Sequence, residues 1–248
     1  MVTKANVEQY RREGYTLVPE LLTQREMDEI QGVLDPFIEG QVKAGRRPEH
    51  LDHPHNWNFR ILQICKHPKI LDAIEQFVGP DIVLFASHVI CKAKGDGLAV
   101  PWHQDGSYWP LDPMDVVTLW LAIDPSNEEN GCMKVIPGTQ NSGPIPHVET
   151  ERPETKVLDR GLPANLIDES KAVNCVLPRG GASFHAPWLF HGSTPNTSTK
   201  RRCGYTIRCM PPTTRLVRDG MHSKYFGEYA LFLLRGKDRL GQNIYANA

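Results

Sequence analysis

From residue 82 to residue 210 the chain is a succession of short segments of strand composition, each closed by glycine or proline, and that rhythm limits the folds open to it. Residues 82–91 and 116–123 are runs of β-branched and other apolar side chains. Val135-Ile136 stops at Pro137-Gly138, residues 171–176 lead into a turn at 178–181, residues 182–186 follow it, and 203–210 is reached through the turn-prone 195–198. Many short strands with Gly and Pro turns argue for sheets packed face to face, most simply a double-sheet jelly roll. Residues 140–170 concentrate Pro, Gly and charge, so a long surface loop between strands is expected there.

The N-terminal third has a different period. A short helix from Val7 should end at Gly14, followed by a brief strand over 15–19. Thr23 stands three residues before Glu26 in a capping pattern, ahead of Met27, Ile30, Val33, Leu34 and Phe37 at helical spacing. An irregular stretch over 45–58, carrying His50, His53, His55, Asn56 and Trp57, reads as a loop that lines a pocket or lies in solvent. A further helix over 62–78 should stop at Gly79-Pro80, and a weak helical patch covers 225–234. The expectation is a mainly β protein with flanking helices, one domain over 1–248: a helical flank to residue 80, a jelly-roll core over 81–215 and a C-terminal tail.

Composition removes several functions. The 248 residues suffice for one large core, and 40% hydrophobic with 23% charged residues is ordinary for a globular protein. With 28 Lys+Arg against 29 Asp+Glu there is no basic field for nucleic acid or a membrane surface. No apolar run approaches the ~18 residues of a membrane span. Six cysteines without a C-x-x-C pair, behind no signal-like N-terminus, point to reduced thiols in a cytoplasmic protein.

The chemistry gathers around Trp102-His103-Gln104-Asp105. In an extended segment alternate residues share a face, so His103 and Asp105 aim together while Gln104 turns away. A second histidine, His191, lies in Leu189-Phe190-His191-Gly192-Ser193. Two imidazoles and a carboxylate make the facial triad that holds non-haem Fe(II) with positions left open. Ser193 shares a face with His191, and Arg202, eleven residues on, offers a planar fork for a carboxylate. A metal beside such an arginine suits a 2-oxo acid. Arg201 competes with Arg202, but alternation puts only one of them on the metal's face. His185 reads as a pocket or core histidine rather than a ligand, and His67, His147 and His222 as surface residues.

These residues resemble the phytanoyl-CoA dioxygenase family of Fe(II)/2-oxoglutarate oxygenases, most strongly between Lys92 and Arg208. The features are the His-x-Asp motif, Trp120–Asp124 as Trp-Leu-Ala-Ile-Asp, Glu129-Asn130-Gly131-Cys132, Pro137-Gly138-Thr139, and His191-Gly192-Ser193 with Asn196 and Arg202. The resemblance implies a double-stranded β-helix of cupin-like jelly-roll type. It also implies that His103, Asp105 and His191 ligate iron, and that Arg202, assisted by Ser193, grips 2-oxoglutarate. Lys92 matches a family lysine with a minor co-substrate role; a surface lysine is the alternative. The chain departs from the family at Thr139-Gln140, where Ser-His is usual. O2 and 2-oxoglutarate would be co-substrates and a C–H bond the target, and Asp105 argues against halogenation, which needs a small residue there. A metal-dependent hydrolase or isomerase on the same scaffold is the rival, and would leave Arg202 and Ser193 idle.

For the primary substrate the expectation is a small polar molecule with an anionic group, such as an amino-acid derivative or aminoalkylphosphonate, with the same oxygenase chemistry on an acyl-CoA as the alternative. Its contacts would come from His55, Asn56, Arg60, His88, Tyr108, Trp109 and Arg208.

Overall fold

The structure, a computed structural model, describes residues 1–219, 226 and 228–246. The chain runs α1 (Lys4–Glu13), β1 (Tyr15–Val18), α2 (Gln24–Lys43), β2 (Leu51–Asp52), α3 (Phe59–Cys65), α4 (Pro68–Val78) and β3 (Ile82–Lys92). There follow β4 (Val100–His103), β5 (Leu111–Asp112), β6 (Val117–Ala122), β7 (Met133–Ile136), β8 (Val148–Glu149), β9 (Arg160–Gly161) and β10 (Val173–Asn174). The last strands are β11 (Ala182–His185), β12 (Phe190–Ser193), β13 (Arg202–Met210), β14 (Arg215–Leu216) and β15 (Phe232–Arg235).

Local chemistry sets the helices. α1 ends because Gly14 takes the left-handed conformation, φ 80°, and its N–H returns to the Tyr10 carbonyl at 2.8 Å. α2 opens on a complete capping box: the Thr23 side chain accepts the Glu26 N–H while Glu26 accepts the Thr23 N–H at 2.8 Å. The single helix expected over 62–78 is two. Pro68 has no N–H to continue a helix and instead starts α4, after α3 has been capped by Asn58.

Two antiparallel sheets face each other. The larger has the order β1-β11-β6-β13-β3-β15 with β2 also on β3; the smaller is β10-β7-β12-β4. Alternation along the large sheet divides its residues between two buried environments. Leu119, Leu121, Cys203, Tyr205 and Ile207 pack into the core under α2, α3 and α4, where Phe77 stacks on Phe184 at 4.7 Å between ring centroids. Thr118, Trp120, Arg202, Thr206 and Arg208 turn the other way, toward the smaller sheet. A sheet covered on both faces explains why all of β6 is buried.

Four expectations need correction. The N-terminal third is more than a helical flank, since β1 forms an edge of the large sheet and β2 joins β3. The 140–170 segment carries the β8–β9 pair and is tied to the strand leading to His103 by Val157 N–H to Ala99 O, 2.8 Å, and Leu162 N–H to Trp102 O, 2.7 Å. Of the strand expected over 171–176 only Val173–Asn174 forms. In the 225–234 patch Tyr225 and Gly227 lie outside the described residues, and Phe232–Arg235 is a strand on β3 whose Phe232 and Leu234 reach the helix-covered core. All six cysteines are buried and unpaired. Among the described residues no helix is long and apolar enough to cross a membrane.

Candidate metal centre and active site

The smaller sheet carries the two histidines expected to bind metal. β12 pairs with β4 so that His191 lies directly opposite His103, ring centroids 4.0 Å apart, and the register slips just beyond. Each Nδ1 is 2.9–3.0 Å from a backbone carbonyl two residues back, Pro101 O for His103 and Leu189 O for His191. That bond makes Nδ1 the protonated nitrogen and turns both Nε2 lone pairs into one space. β4 ends at His103, Gln104 stays extended, and a 3-10 turn begins at Asp105. Asp105 Oδ1 thereby comes within 3.4 Å of His103 Nε2 and 3.8 Å of His191 Nε2.

One donor atom from each of the three buried residues lies within 4.8 Å of the other two. Two neutral nitrogens and one anionic oxygen, all from one side, fit a divalent iron with positions left open. Burial first, then His103 and His185, holds His191 well below the ordinary histidine range, so its Nε2 is available to a metal. Burial works against the Asp105 charge, yet the Arg208 guanidinium first, then the His103 and His185 rings close by, overcome it and keep the carboxyl well below its usual range. Gln104 faces away, as alternation requires. Its amide donates to Gly143 O and Trp188 O, both at 2.8 Å, and accepts the Ile145 N–H at 2.9 Å.

The triad opens into a cavity of about 320 Å³ between the sheets. At one end Arg202 is 2% exposed and gives one Nη to Gly131 O at 2.9 Å, while its Nε has no partner. Its guanidinium stacks on Trp120 at 5.5 Å. Lys92 is its cross-strand neighbour and is fully buried, not a surface residue. The Lys92 ammonium donates to Ser193 Oγ at 2.7 Å and to the Thr194 carbonyl; burial first, then Arg202, brings it down to about 6. Arg201 points to the opposite face and holds Asp124 through two nitrogens, at 2.8 and 3.0 Å, and Asp35 at 2.8 Å.

At the other end are His88, Tyr108, Trp109 and Arg208. Arg208 lies 3.5 Å from Asp105 Oδ2 and stacks on Trp109 at 5.2 Å. The remaining expected substrate contacts are not brought here. His55 is buried behind β3, its Nδ1 2.7 Å from Ser87 Oγ and its ring edge-on to Phe232. Asn56 and Arg60 are exposed, because the turn over 54–56 and the start of α3 carry them off the sheet. Trp57 is 63% exposed beside Arg46 and packs into no core.

The tertiary structure also settles where the remaining histidines and their neighbours lie. His53 and Asp52 also line the cavity. His185, 2% exposed, stands 3.5 Å from Asp105 Oδ2 with neither ring nitrogen hydrogen-bonded. His147, expected at the surface, is buried: its Nε2 accepts the Gln104 N–H at 3.0 Å. His67 is half-buried beside Glu26 at 3.6 Å, and His222 lies outside the described residues. Thr118 donates to Asp105 Oδ2 at 3.3 Å. Its one signal in the sequence was a hydroxyl inside an otherwise apolar strand.

Comparison with known proteins agrees with this geometry. The chain is 30% identical over 153 residues to a probable alpha-ketoglutarate-dependent hypophosphite dioxygenase of Stutzerimonas stutzeri, covering 61% of this chain and 53% of that protein, about half its length. It is 25% identical over 224 residues to the L-proline trans-4-hydroxylase of Streptomyces griseoviridis, covering 78% of this chain and 81% of that one. The solved apo structure of the non-heme monooxygenase ThoJ superposes with a TM-score of 0.79 at 25% identity, over 97% of this chain and 87% of the other. The sequence model described as phytanoyl-CoA dioxygenase (PhyH) matches residues 10–204, and with the double-stranded β-helix and its His-x-Asp…His triad in place, the chain belongs to the phytanoyl-CoA dioxygenase family of Fe(II)/2-oxoglutarate oxygenases.

Proposed function

We propose that this protein is an Fe(II)- and 2-oxoglutarate-dependent dioxygenase that hydroxylates a C–H bond of a small anionic or zwitterionic metabolite, releasing succinate and CO2. His103, Asp105 and His191 would hold the iron, and Arg202, with Ser193 oriented by Lys92, the distal carboxylate of 2-oxoglutarate. When bound, the iron and its co-substrate supply the oxidising chemistry; the protein's part is to hold, orient and exclude water. The carrying observation is a cavity that has the triad in its wall and is lined by two guanidiniums, the buried Arg202 and the largely covered Arg208.

Size and charge support the substrate class. About 320 Å³ is at the lower end of the ~300–1,000 Å³ usual for ligand sites, and co-substrate and substrate must share it. Arg208 offers a cation over an aromatic floor, with His88 and Tyr108 near by, which suits a carboxylate or phosphonate. Because Arg208 is already within 3.5 Å of Asp105, a substrate anchored there would present a carbon close to its anionic group. The names of its relatives divide, two of them for the small molecules hypophosphite and L-proline and others for phytanoyl-CoA, so the substrate class rests on the cavity.

The test is a screen of small carboxylates, amino-acid derivatives, aminoalkylphosphonates and acyl-CoA thioesters for substrate-dependent succinate, with product mass read for one added oxygen. Turnover confined to acyl-CoA thioesters would reject the substrate class. Anaerobic hydrolysis or isomerisation without 2-oxoglutarate would reject the oxygenase.

A further inference from the structure

The two oxygens of Asp105 face different surroundings. Oδ1 faces His103 and His191. Oδ2 faces the large sheet, where it accepts from Thr118 Oγ1 at 3.3 Å and stands 3.5 Å from both His185 Nε2 and Arg208 Nε. These three residues form one cross-strand row. Thr118 of β6 is the register partner of His185 on β11 and of Arg208 on β13, so three adjacent strands each contribute one polar side chain at the same level. Directly paired residues share a face of a sheet.

Placing a hydroxyl, an imidazole and a guanidinium side by side inside a covered sheet is costly unless they serve a common partner. Thr118 is fully buried, His185 is 2% exposed, and His185 Nε2 and Arg208 Nε have no hydrogen bond of their own. Beyond Arg208 the row meets Ala86 of β3, too small to reach the carboxylate. Among the described residues the one anion they all face is Asp105, the residue proposed as the anionic iron ligand.

We infer that Thr118, His185 and Arg208 form a clamp on the outer oxygen of Asp105, so that the carboxylate meets the metal through Oδ1 alone. A carboxylate free to rock can present both oxygens to a cation. Its second oxygen would then take a position that a facial triad leaves open for co-substrate and O2. Outer partners of ligating side chains fix orientation in this way. Thr118, His185 and Arg208 are positioning residues: they act through Asp105.

This inference rests on the metal site proposed above, and Arg208 is also proposed to meet substrate, so the test uses Thr118 and His185 with no primary substrate present. Anaerobic Fe(II) affinity is measured by competition with a chromophoric chelator, and the visible charge-transfer absorption is recorded after adding 2-oxoglutarate. Thr118→Val removes the hydroxyl at constant shape; Thr118→Ser keeps it; His185→Leu removes the nitrogen donor and His185→Gln retains one. Thr118→Val and His185→Leu should weaken Fe(II) by roughly 10-fold or more and shift the absorption band, with Thr118→Ser and His185→Gln returning toward wild type. Wild-type affinity and band in a folded Thr118→Val, His185→Leu double variant would overturn the clamp and leave the iron site standing. Equal losses in Thr118→Ser and Thr118→Val would also overturn it, since packing would then be at work. A wild-type protein that binds Fe(II) but gives no band with 2-oxoglutarate would remove the oxygenase reading and the clamp together.

Discussion

Arg202, Trp120 and Gly204 make a stack in which each position depends on the next. A Cβ on Gly204 would lie 2.0 Å from the Trp120 ring, and that ring in turn supports the Arg202 guanidinium at 5.5 Å. Gly204→Ala must push the indole aside. The expected result is a raised KM for 2-oxoglutarate with iron content unchanged, read by steady-state kinetics and metal analysis on the same sample. Arg202→Ala should go further, because a charge-assisted contact is worth about 1.5–3 kcal/mol, or roughly 10- to 150-fold in co-substrate affinity. Asp105→Ala or His191→Ala should lose iron itself while the fold survives, and full iron retention in either would remove that residue from the ligand set.

Helix α2 depends on its first turn. Thr23 and Glu26 exchange their capping bonds, and Glu26 Oε2 also receives Lys69 Nζ of α4 at 2.8 Å, so one carboxylate both caps α2 and joins it to another helix. Thr23→Ala should lower stability by about 1 kcal/mol, seen as a lower denaturant midpoint. The Lys69 bond first, then the Thr23 N–H, brings Glu26 from 4.5 to about 2. A carboxyl lowered in the folded state stabilises above its unfolded value and loses that contribution as pH falls toward its folded value. The stability gap between wild type and Glu26→Gln should therefore be full above pH 4.5 and close as pH approaches about 2. A gap independent of pH over that window would assign the effect to packing.

At the scale of the molecule, one sheet separates structure from chemistry. Its outer face belongs to the helix-covered core and its inner face to the cavity, so neighbours along β6 should behave oppositely. Leu119, fully buried under the helices, should cost about 2–5 kcal/mol as Leu119→Ala while the folded fraction still binds iron. Thr118→Val should leave the unfolding midpoint nearly unchanged and alter the metal. Denaturant unfolding with iron titration on both variants checks the division, and similar profiles for the two would contradict it.

What the sequence determined alone was whatever depends on near neighbours along the chain. Short β runs with Gly and Pro stops implied the double sheet; a helical period implied the flank; and His103-x-Asp105 implied a ligand pair, to which the family resemblance joined the distant His191 and Arg202. Turn chemistry left legible marks at Gly14, Thr23 and, less noticed, at Pro68, whose missing N–H divides α3 from α4. Only the tertiary structure could decide which residues from distant strands share a level. Register is a property of pairing between strands, and a slip of one residue would exchange cavity for core along a whole strand. That is why Thr118, His185 and Arg208 converge on one oxygen although 67 and 23 residues separate them in turn. It is also why His147 is buried beside Gln104, why Lys92 lies beneath Ser193, and why His55, in a segment that looked suited to a pocket, faces away from it.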